Sequence, residues 1–401
     1  FKQKTAYEIR LSLVGSEMCI RDRSEIRQLA NKILQEQVTE ERLRSLDQCE
    51  SGERFDRALW QQLASAGLLG IAIDEAHGGM GFDYFALTLL LEEVGRSVAA
   101  VPAVASLAGA AMVLTKYGSD TQQQQWLPAV ASGESLLTVA FSEAMNSSDL
   151  TPHSMQATPA DDGYILTGTK HYVPYAQHAD GIIVSAKLSD NKNILVVVEP
   201  GQAGVSFTAE NTTTAEPQSA LNLSAVNVPS SQVITQGNAA DDAIQYGVNC
   251  LVTAYCSVQT GASDAALRMT AKYTSERKQF NTVIASFQAV AQRAADGYID
   301  VECLRLCSQQ AACLLSDKPA DLDAQRAIND AVTMAKIWAG DTGHRISYTA
   351  QHLHGGTGVD REYPLWRFCL LLRQMEFSMG SSQQHLTDLG DRIADYSVAM
   401  S

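Results

Sequence analysis

DDAIQYGVNCLVTAYCSVQTGASDAALRMTAKYTSERKQF, residues 241–280, is a run of 40 residues without a proline. Proline in a helix interior removes a hydrogen bond and clashes with the preceding turn. Ordinary globular helices run roughly 8–20 residues. A helical pattern about twice that length predicts a rod that crosses a whole domain and packs in a bundle. The chain beyond it reads the same way. SFQAVAQRAADGYIDVECLRLCSQQAACLL (286–315) and AINDAVTMAKIWAGDTGHRISYTAQHLH (327–354) predict two further long helices, and RQMEFSMGSSQQHL (373–386) follows them.

Upstream of the run the character changes. LLTVAFSE, GYILTGTKHYVP, DGIIVSAKL, NILVVVEP, VSFTAE and SAVNVP are short β-branched stretches separated by Gly, Asp, Asn and Pro. They predict six strands with no helix between them, hence a barrel or sandwich and not a parallel sheet. Before them the pattern is helical again. SEIRQLANKILQEQ places Ile26, Leu29, Ile33 and Leu34 on one face with Ser24 as N-cap. RFDRALWQQLASAGLLG stops at Gly67 and Gly70. DYFALTLLLEEVGRSVA and VASLAGAAMVLTKYG predict two more helices, the second apolar enough to be buried. FKQKTAYEIRLSLVGSEMCIRDR, residues 1–23, lacks the order of a signal peptide, and its end resembles a translated sequencing adaptor. The expectation is therefore an α+β multidomain chain. Residues 1–23 are set aside as adaptor-derived, 24–135 form a helical domain, 136–236 a β domain and 237–401 a helical bundle.

Composition narrows the function. The chain has 401 residues, 45% of them hydrophobic, and 45 acidic against 30 basic residues for a formal charge of -15. Such a surface repels nucleic-acid phosphates and anionic lipid. No apolar run reaches the length of a membrane span. Eight cysteines form neither a CxxC pair nor a zinc spacing, and most lie in apolar helical patterns. They predict a reduced, cytoplasmic protein.

Most standard signatures are missing: no GxGxxG after a strand, no GxxxxGK[ST], no HExxH and no GxSxG. Ser275-x-x-Lys278 matches SxxK without its usual companions. Arg277, Lys278, Gln279 and Phe280 close the long run, either as a basic helix C-terminus or as an anion contact. His354-Gly355-Gly356-Thr357-Gly358 is either an interhelical turn or a backbone that lets a phosphate approach closely. Ser142-Glu143 and Asn146-Ser147-Ser148-Asp149 form a polar loop after a strand.

Taken together the motifs resemble one family. LWQQLASAGLLGIAIDEAHGGMG, LLEEVGR, WLPAVASGE, AFSEAMNSSDL, GTKHYVPYAQHAD, SERKQFNTVIASFQAVAQRAAD and HGGTGVDREYPL occur in the order seen in acyl-CoA dehydrogenases. The resemblance covers residues 24–395. VPYAQHAD, HLHGGTGVDREYPL and RQMEFSMGSSQQHLTDLG look most like the bacterial branch acting on bulky acyl-CoAs such as steroid side chains. Some enzymes of that branch assemble from two unlike subunits. The resemblance implies a helical N-terminal domain, a middle β-barrel and a C-terminal four-helix bundle. It implies non-covalent FAD, an acyl-CoA thioester substrate, an electron-transfer flavoprotein or similar acceptor, and homo- or hetero-tetramers. By position, Ser142 and Tyr172 to Pro174 would line the flavin ring. Ser148 and Gly380 would lie on the substrate side. Arg277 and Phe280 would meet the pyrophosphate and adenine end of FAD across a dimer interface, with Gln288, Gly355 and Gly356 nearby. Ser381 and Gln383 would touch the FAD of their own subunit.

The family's reaction removes an α-proton with a carboxylate while the β-hydrogen leaves as hydride to the flavin. The residue in the usual base position is Met379, before Gly380. The second family position, counted back from SERKQF, falls at Leu251 and Val252, which are apolar. Pro174 stands where many members carry a hydroxyl beside the flavin. Glu376, one helical turn before Met379, is either the base or a bundle carboxylate. Two readings stay open: an active dehydrogenase, or a catalytically silent subunit that completes a partner's site. Ala254, Ser257, Gly261 and Ala262 signal either room for a bulky substrate or close helix packing.

Overall fold

The structure, a computed structural model, describes residues 6–50, 52–144, 151–317 and 321–399, with side chains from 22 to 395 of these. Among the described residues six α-helices come first: α1 (Ala6–Gln37), α2 (Glu40–Asp47), α3 (Arg57–Ser65), α4 (Tyr84–Arg96), α5 (Met112–Tyr117) and α6 (Asp120–Ala131). A π-helical stretch, Val104–Ala111, runs into α5, and seven of its eight residues are buried, as its apolar pattern predicts. Ser24 is not an N-cap. It lies inside α1, which passes through residue 23 without a break, and Arg23 pairs with Asp83. Leu29 also departs from expectation: it is exposed, and the buried stripe is Ile26, Ala30 and Leu34. Helix α3 ends as predicted, because Gly67 takes a φ of 77° that residues with a Cβ adopt only at a cost.

The described residues in the middle of the chain form eight strands: β1 (Leu137–Ala140), β2 (Gln156–Ala160), β3 (Gly163–Pro174), β4 (Gly181–Leu188), β5 (Asn193–Val198), β6 (Val205–Glu210), β7 (Gln218–Val228) and β8 (Val233–Gln236). They make one sheet in the order β6-β7-β3-β2-β4-β5-β8, with β1 parallel to β4. Two strands, β2 and β8, escape the sequence reading, and β7 begins at Gln218 instead of Ser224. In β4 and β5 both faces are apolar for a reason the structure makes plain. Ile182, Val184, Val196 and Val198 point into the sheet's own core with Leu166 and Leu221. Ile183, Leu195 and Val197 join the helical core on the other side. A strand covered on both faces reads as a continuous apolar run.

The predicted rod is a single helix, α7 (Asn238–Glu276), of 39 residues. Its expected basic C-terminal turn is not helical. Arg277 is extended, and the two-residue strands β9 (Lys278–Gln279) and β10 (Thr282–Val283) pair around Phe280 and Asn281, whose φ values are 53° and 62°. Then come α8 (Gln288–Ser316), α9 (Leu322–His354), α10 (Leu365–Phe377) and α11 (Ser382–Ala399). Helices α7 to α10 pack as a bundle, with α11 on α9. Buried Gln259 of α7 ties the bundle together by donating to the carbonyls of Ala339 and Leu372, each at 3.1 Å. The small residues of α7 serve packing. A Cβ on Gly261 would stand 1.8 Å from the Glu92 carbonyl oxygen, so α4 and α7 cross backbone to backbone. Ala254, Ser257, Gly261 and Ala262 are buried, and none lines a cavity described below.

Candidate functional site

Where the sheet meets the bundle, two cavities lie side by side. The larger, about 680 Å³, is lined by Ser142 after β1, Tyr172 of β3, the 211–213 loop, and the α10 end with Phe377 to Gly380. The smaller, about 300 Å³, is lined by Pro174, the 98–105 segment, Glu216 and the inner face of α10. Thr213, Tyr255 and Gln374 belong to both walls.

Ser142 is held by a buried ion pair beside it. Lys170 Nζ donates to Glu143 Oε1 at 2.7 Å, to Ser185 Oγ at 3.0 Å and to the Phe141 carbonyl at 3.2 Å. Glu143 also accepts the backbone N–H groups of His153 (2.9 Å) and Ser154 (2.6 Å). Burial opposes its ionisation, but Lys170 and these donors outweigh burial and hold the carboxyl at about 2. Tyr172 has a φ of 54°, and its N–H donates to Glu210 Oε2 at 2.5 Å, turning the ring out to the larger cavity.

The loop opposite carries Met379 and Gly380, with φ values of 61° and 95°. His385 Nε2 lies 2.7 Å from the Met379 carbonyl. Buried Lys336 of α9 donates to the carbonyls of Met375 (2.7 Å) and Glu376 (3.1 Å), capping the end of α10. Burial lowers the Lys336 ammonium to about 8. Glu376 lines neither cavity. Its carboxylate lies 2.5 Å from Arg373 Nη1 and 3.3 Å from His344 Nδ1. Leu251 is 4% exposed and packs in the helical core, again outside both cavities. Helix α7 presents Tyr255, one turn on, to both cavities and Val258 to the smaller one.

The other sequence-singled residues fall in different places. Ser381 and Gln384 form a reciprocal cap at the start of α11: Ser381 N–H donates to Gln384 Oε1 at 2.8 Å, and Gln384 N–H to Ser381 Oγ at 3.3 Å. Gln383 is exposed on that helix, and Ser148 lies outside the described residues. Arg277, Phe280, Gln288, Gly355 and Gly356 are exposed at the far end of the bundle. There Tyr273 stacks on His354 with ring centroids 4.3 Å apart, which clamps the α7 end to the glycine turn. No atom comes within 4 Å of a Cβ built on Gly355 or Gly356. The structure thus gathers two groups: Ser142, Tyr172, Met379 and Gly380 at the cleft, and the arginine and glycines at the bundle end.

Sequence reasoning missed Tyr255, Gln374, Glu216 and Arg54. The signal for Tyr255 was an aromatic residue flanked by the small residues Ala254, Cys256 and Ser257. Glu216 and Arg54 come from loops and left no periodic trace.

A helical part, a central sheet and a helical bundle enclose a cleft at their junction. Residues 21–134 match the family model "Acyl-CoA dehydrogenase, N-terminal domain", and residues 243–394 match "Acyl-CoA dehydrogenase, C-terminal domain". The chain is 36% identical over 376 residues to acyl-CoA dehydrogenase FadE27 of Mycobacterium tuberculosis, covering 92% of this chain and 95% of that one. Its backbone matches a chain of the Tcur3481–Tcur3483 steroid ACAD variant with a TM-score of 0.85 and 37% identity, covering 94% and 99% of the two chains. It matches a chain of the ChsE4–ChsE5 complex from Mycobacterium tuberculosis with a TM-score of 0.85 and 35% identity, covering 93% and 97%. The chain belongs to the acyl-CoA dehydrogenase family, the FAD-dependent oxidoreductases that act on CH–CH groups. The cleft fits a flavin ring in volume and in its mixed wall of Ser142, Tyr172 and Gly380. Open glycine backbone and Arg277 fit a pyrophosphate. Pro174 does not supply the hydroxyl found beside the flavin in many members, and it lines the smaller cavity instead.

Proposed function

We propose that this chain is the catalytically silent, FAD-contacting subunit of a heteromeric acyl-CoA dehydrogenase acting on a bulky acyl-CoA. One observation carries the reading: the cleft-facing base position holds Met379, while Leu251 is sealed in the core and Glu376, paired with Arg373 of the cleft wall, itself lines neither cavity. Bound FAD supplies the hydride acceptor. This chain's part is to shape the ring pocket with Ser142 and Tyr172 and to offer Arg277 and the glycine turn to a dinucleotide. Within one chain those two groups are separate, which supports a dinucleotide shared between neighbouring subunits. Reduced flavin needs an oxidant, and an electron-transfer flavoprotein or similar acceptor fills that role in this reading. No described helix is long and apolar enough to cross a membrane.

The test is reconstitution. The chain is purified alone and then with a family member that carries glutamate before the corresponding Gly, and acyl-CoA turnover is followed with an electron-accepting dye. Turnover only in the mixture supports the proposal. Equal turnover by the chain alone overturns it, and Glu216→Gln and Glu376→Gln then show which carboxylate acts.

A further inference from the structure

A lysine is almost never fully buried unless it is paired. Lys336, in α9, is only 1% exposed, yet its described hydrogen bonds go to main-chain carbonyls, those of Met375 at 2.7 Å and Glu376 at 3.1 Å. The Glu376 carboxylate itself pairs with Arg373. Burial opposes the Lys336 charge and lowers the ammonium from its ordinary 10.5 to about 8. A methionine of similar length would bury the same stem with no charge to desolvate. The chain thus gives up stability to keep a cation here, and such sacrifices gather at functional sites.

The two carbonyls lie at the end of α10, where aligned peptide dipoles leave negative charge. Ser378 then leaves the helix, and Met379 and Gly380 turn with φ values of 61° and 95° into the wall of the larger cavity. His385 of α11 holds the exit of the turn through the Met379 carbonyl at 2.7 Å. Helix α11 is seated on α9, where a Cβ on Gly340 would stand 3.0 Å from Ser382 Cβ. One helix, α9, therefore fixes the entry to the turn through Lys336 and its exit through α11.

We propose that Lys336 is a positioning residue: its ammonium, seated on the Met375 and Glu376 carbonyls, aims the Met379–Gly380 turn at the cleft at the expense of stability. The inference rests on reading this turn as the family's base position and deepens it: the chain keeps the apparatus that aims a base although Met379 is not one.

Lys336→Met is compared with the unaltered full chain by heat denaturation and by NMR of protein carrying 13C in its methionine methyl groups. At pH 7 the variant is expected to melt at the same temperature or higher, because the buried charge is gone. The Met379 methyl is expected to pass from one sharp signal to several, while that of Met155 in the sheet core stays in place. A lower melting temperature, or an unmoved Met379 signal, overturns the proposal. The unaltered chain supplies an independent reading. Cys256 of α7, Glu376 of α10 and His385 of α11 are the ionisable groups around the ammonium. Burial pushes the Cys256 thiol up to about 12 and holds the His385 ring below its ordinary 6.5. A step in the Met379 signal near pH 8 therefore belongs to Lys336, and its absence overturns the proposal. The folded chain releases this proton near pH 8 and the unfolded chain near 10.5, so the melting advantage of Lys336→Met should shrink between those values. Failure of the flavin reading shows separately, as no FAD uptake by the unaltered chain, and the Met379 signals decide the role of Lys336 in either case.

Discussion

Met379 has a φ of 61°, a conformation that costs a residue with a Cβ roughly 1 kcal/mol. Gly380 follows in the same region of backbone space, and the His385 ring fixes the turn. A side chain here is presented to the cleft whatever its chemistry, so Met379→Glu places a carboxylate where the family places its base. Acyl-CoA should then reduce the bound flavin at least about 10²-fold faster than in the unaltered chain, the usual worth of a general base. Unchanged reduction with FAD retained would mean that the turn does not face the reacting carbon. A second residue tests packing. Gly261→Ala drives a methyl into the Glu92 carbonyl and should cost about 1–3 kcal/mol, read from urea midpoints. A wild-type midpoint would contradict the backbone crossing of α4 and α7. At this scale the sequence shows Met379 and Gly380 directly. It does not show that α7 turns Tyr255 to both cavities, because counting along a helix yields a face but not which turn meets the cleft.

Elements were legible where one physical signal dominates. α7 is visible in its proline-free length, and β4 and β5 in their β-branched runs. β2, QATPA, contains proline and small residues, and β8, VITQ, directly follows the Pro229–Gln232 turn, so neither rises above its surroundings. The α7 end misled because RKQF reads as a basic helical turn, whereas two left-handed residues convert it to a hairpin. One ion pair links elements and gives a pH prediction. Lys170 of β3 and Glu143 after β1 are completely buried together. The Glu143 carboxyl lies at about 2, below its ordinary 4.5, so the folded state binds fewer protons than the unfolded one in that interval. Its contribution is complete above 4.5 and fades as pH falls toward 2. Urea midpoints of Glu143→Gln should therefore be lower than wild type at pH 6 and approach it near pH 3. A constant gap across that range would show that the pair does not titrate as described.

The whole molecule is a junction: the sheet's outer face and the bundle share one apolar core, and the cleft opens where they meet. The order of motifs along the chain made this architecture legible. It left the division of labour open, because Arg277 with its glycine turn and Ser142 with Tyr172 lie in separate regions of one subunit, and only folding separates them. A silent chain follows if no carboxylate of its own reaches the reacting carbon. Anaerobic single-turnover titration of the FAD-loaded chain alone with a bulky acyl-CoA tests this most directly. The visible absorbance of oxidised flavin is expected to persist, and adding the glutamate-bearing partner to bleach it. Bleaching by the chain alone would mean that it carries its own base.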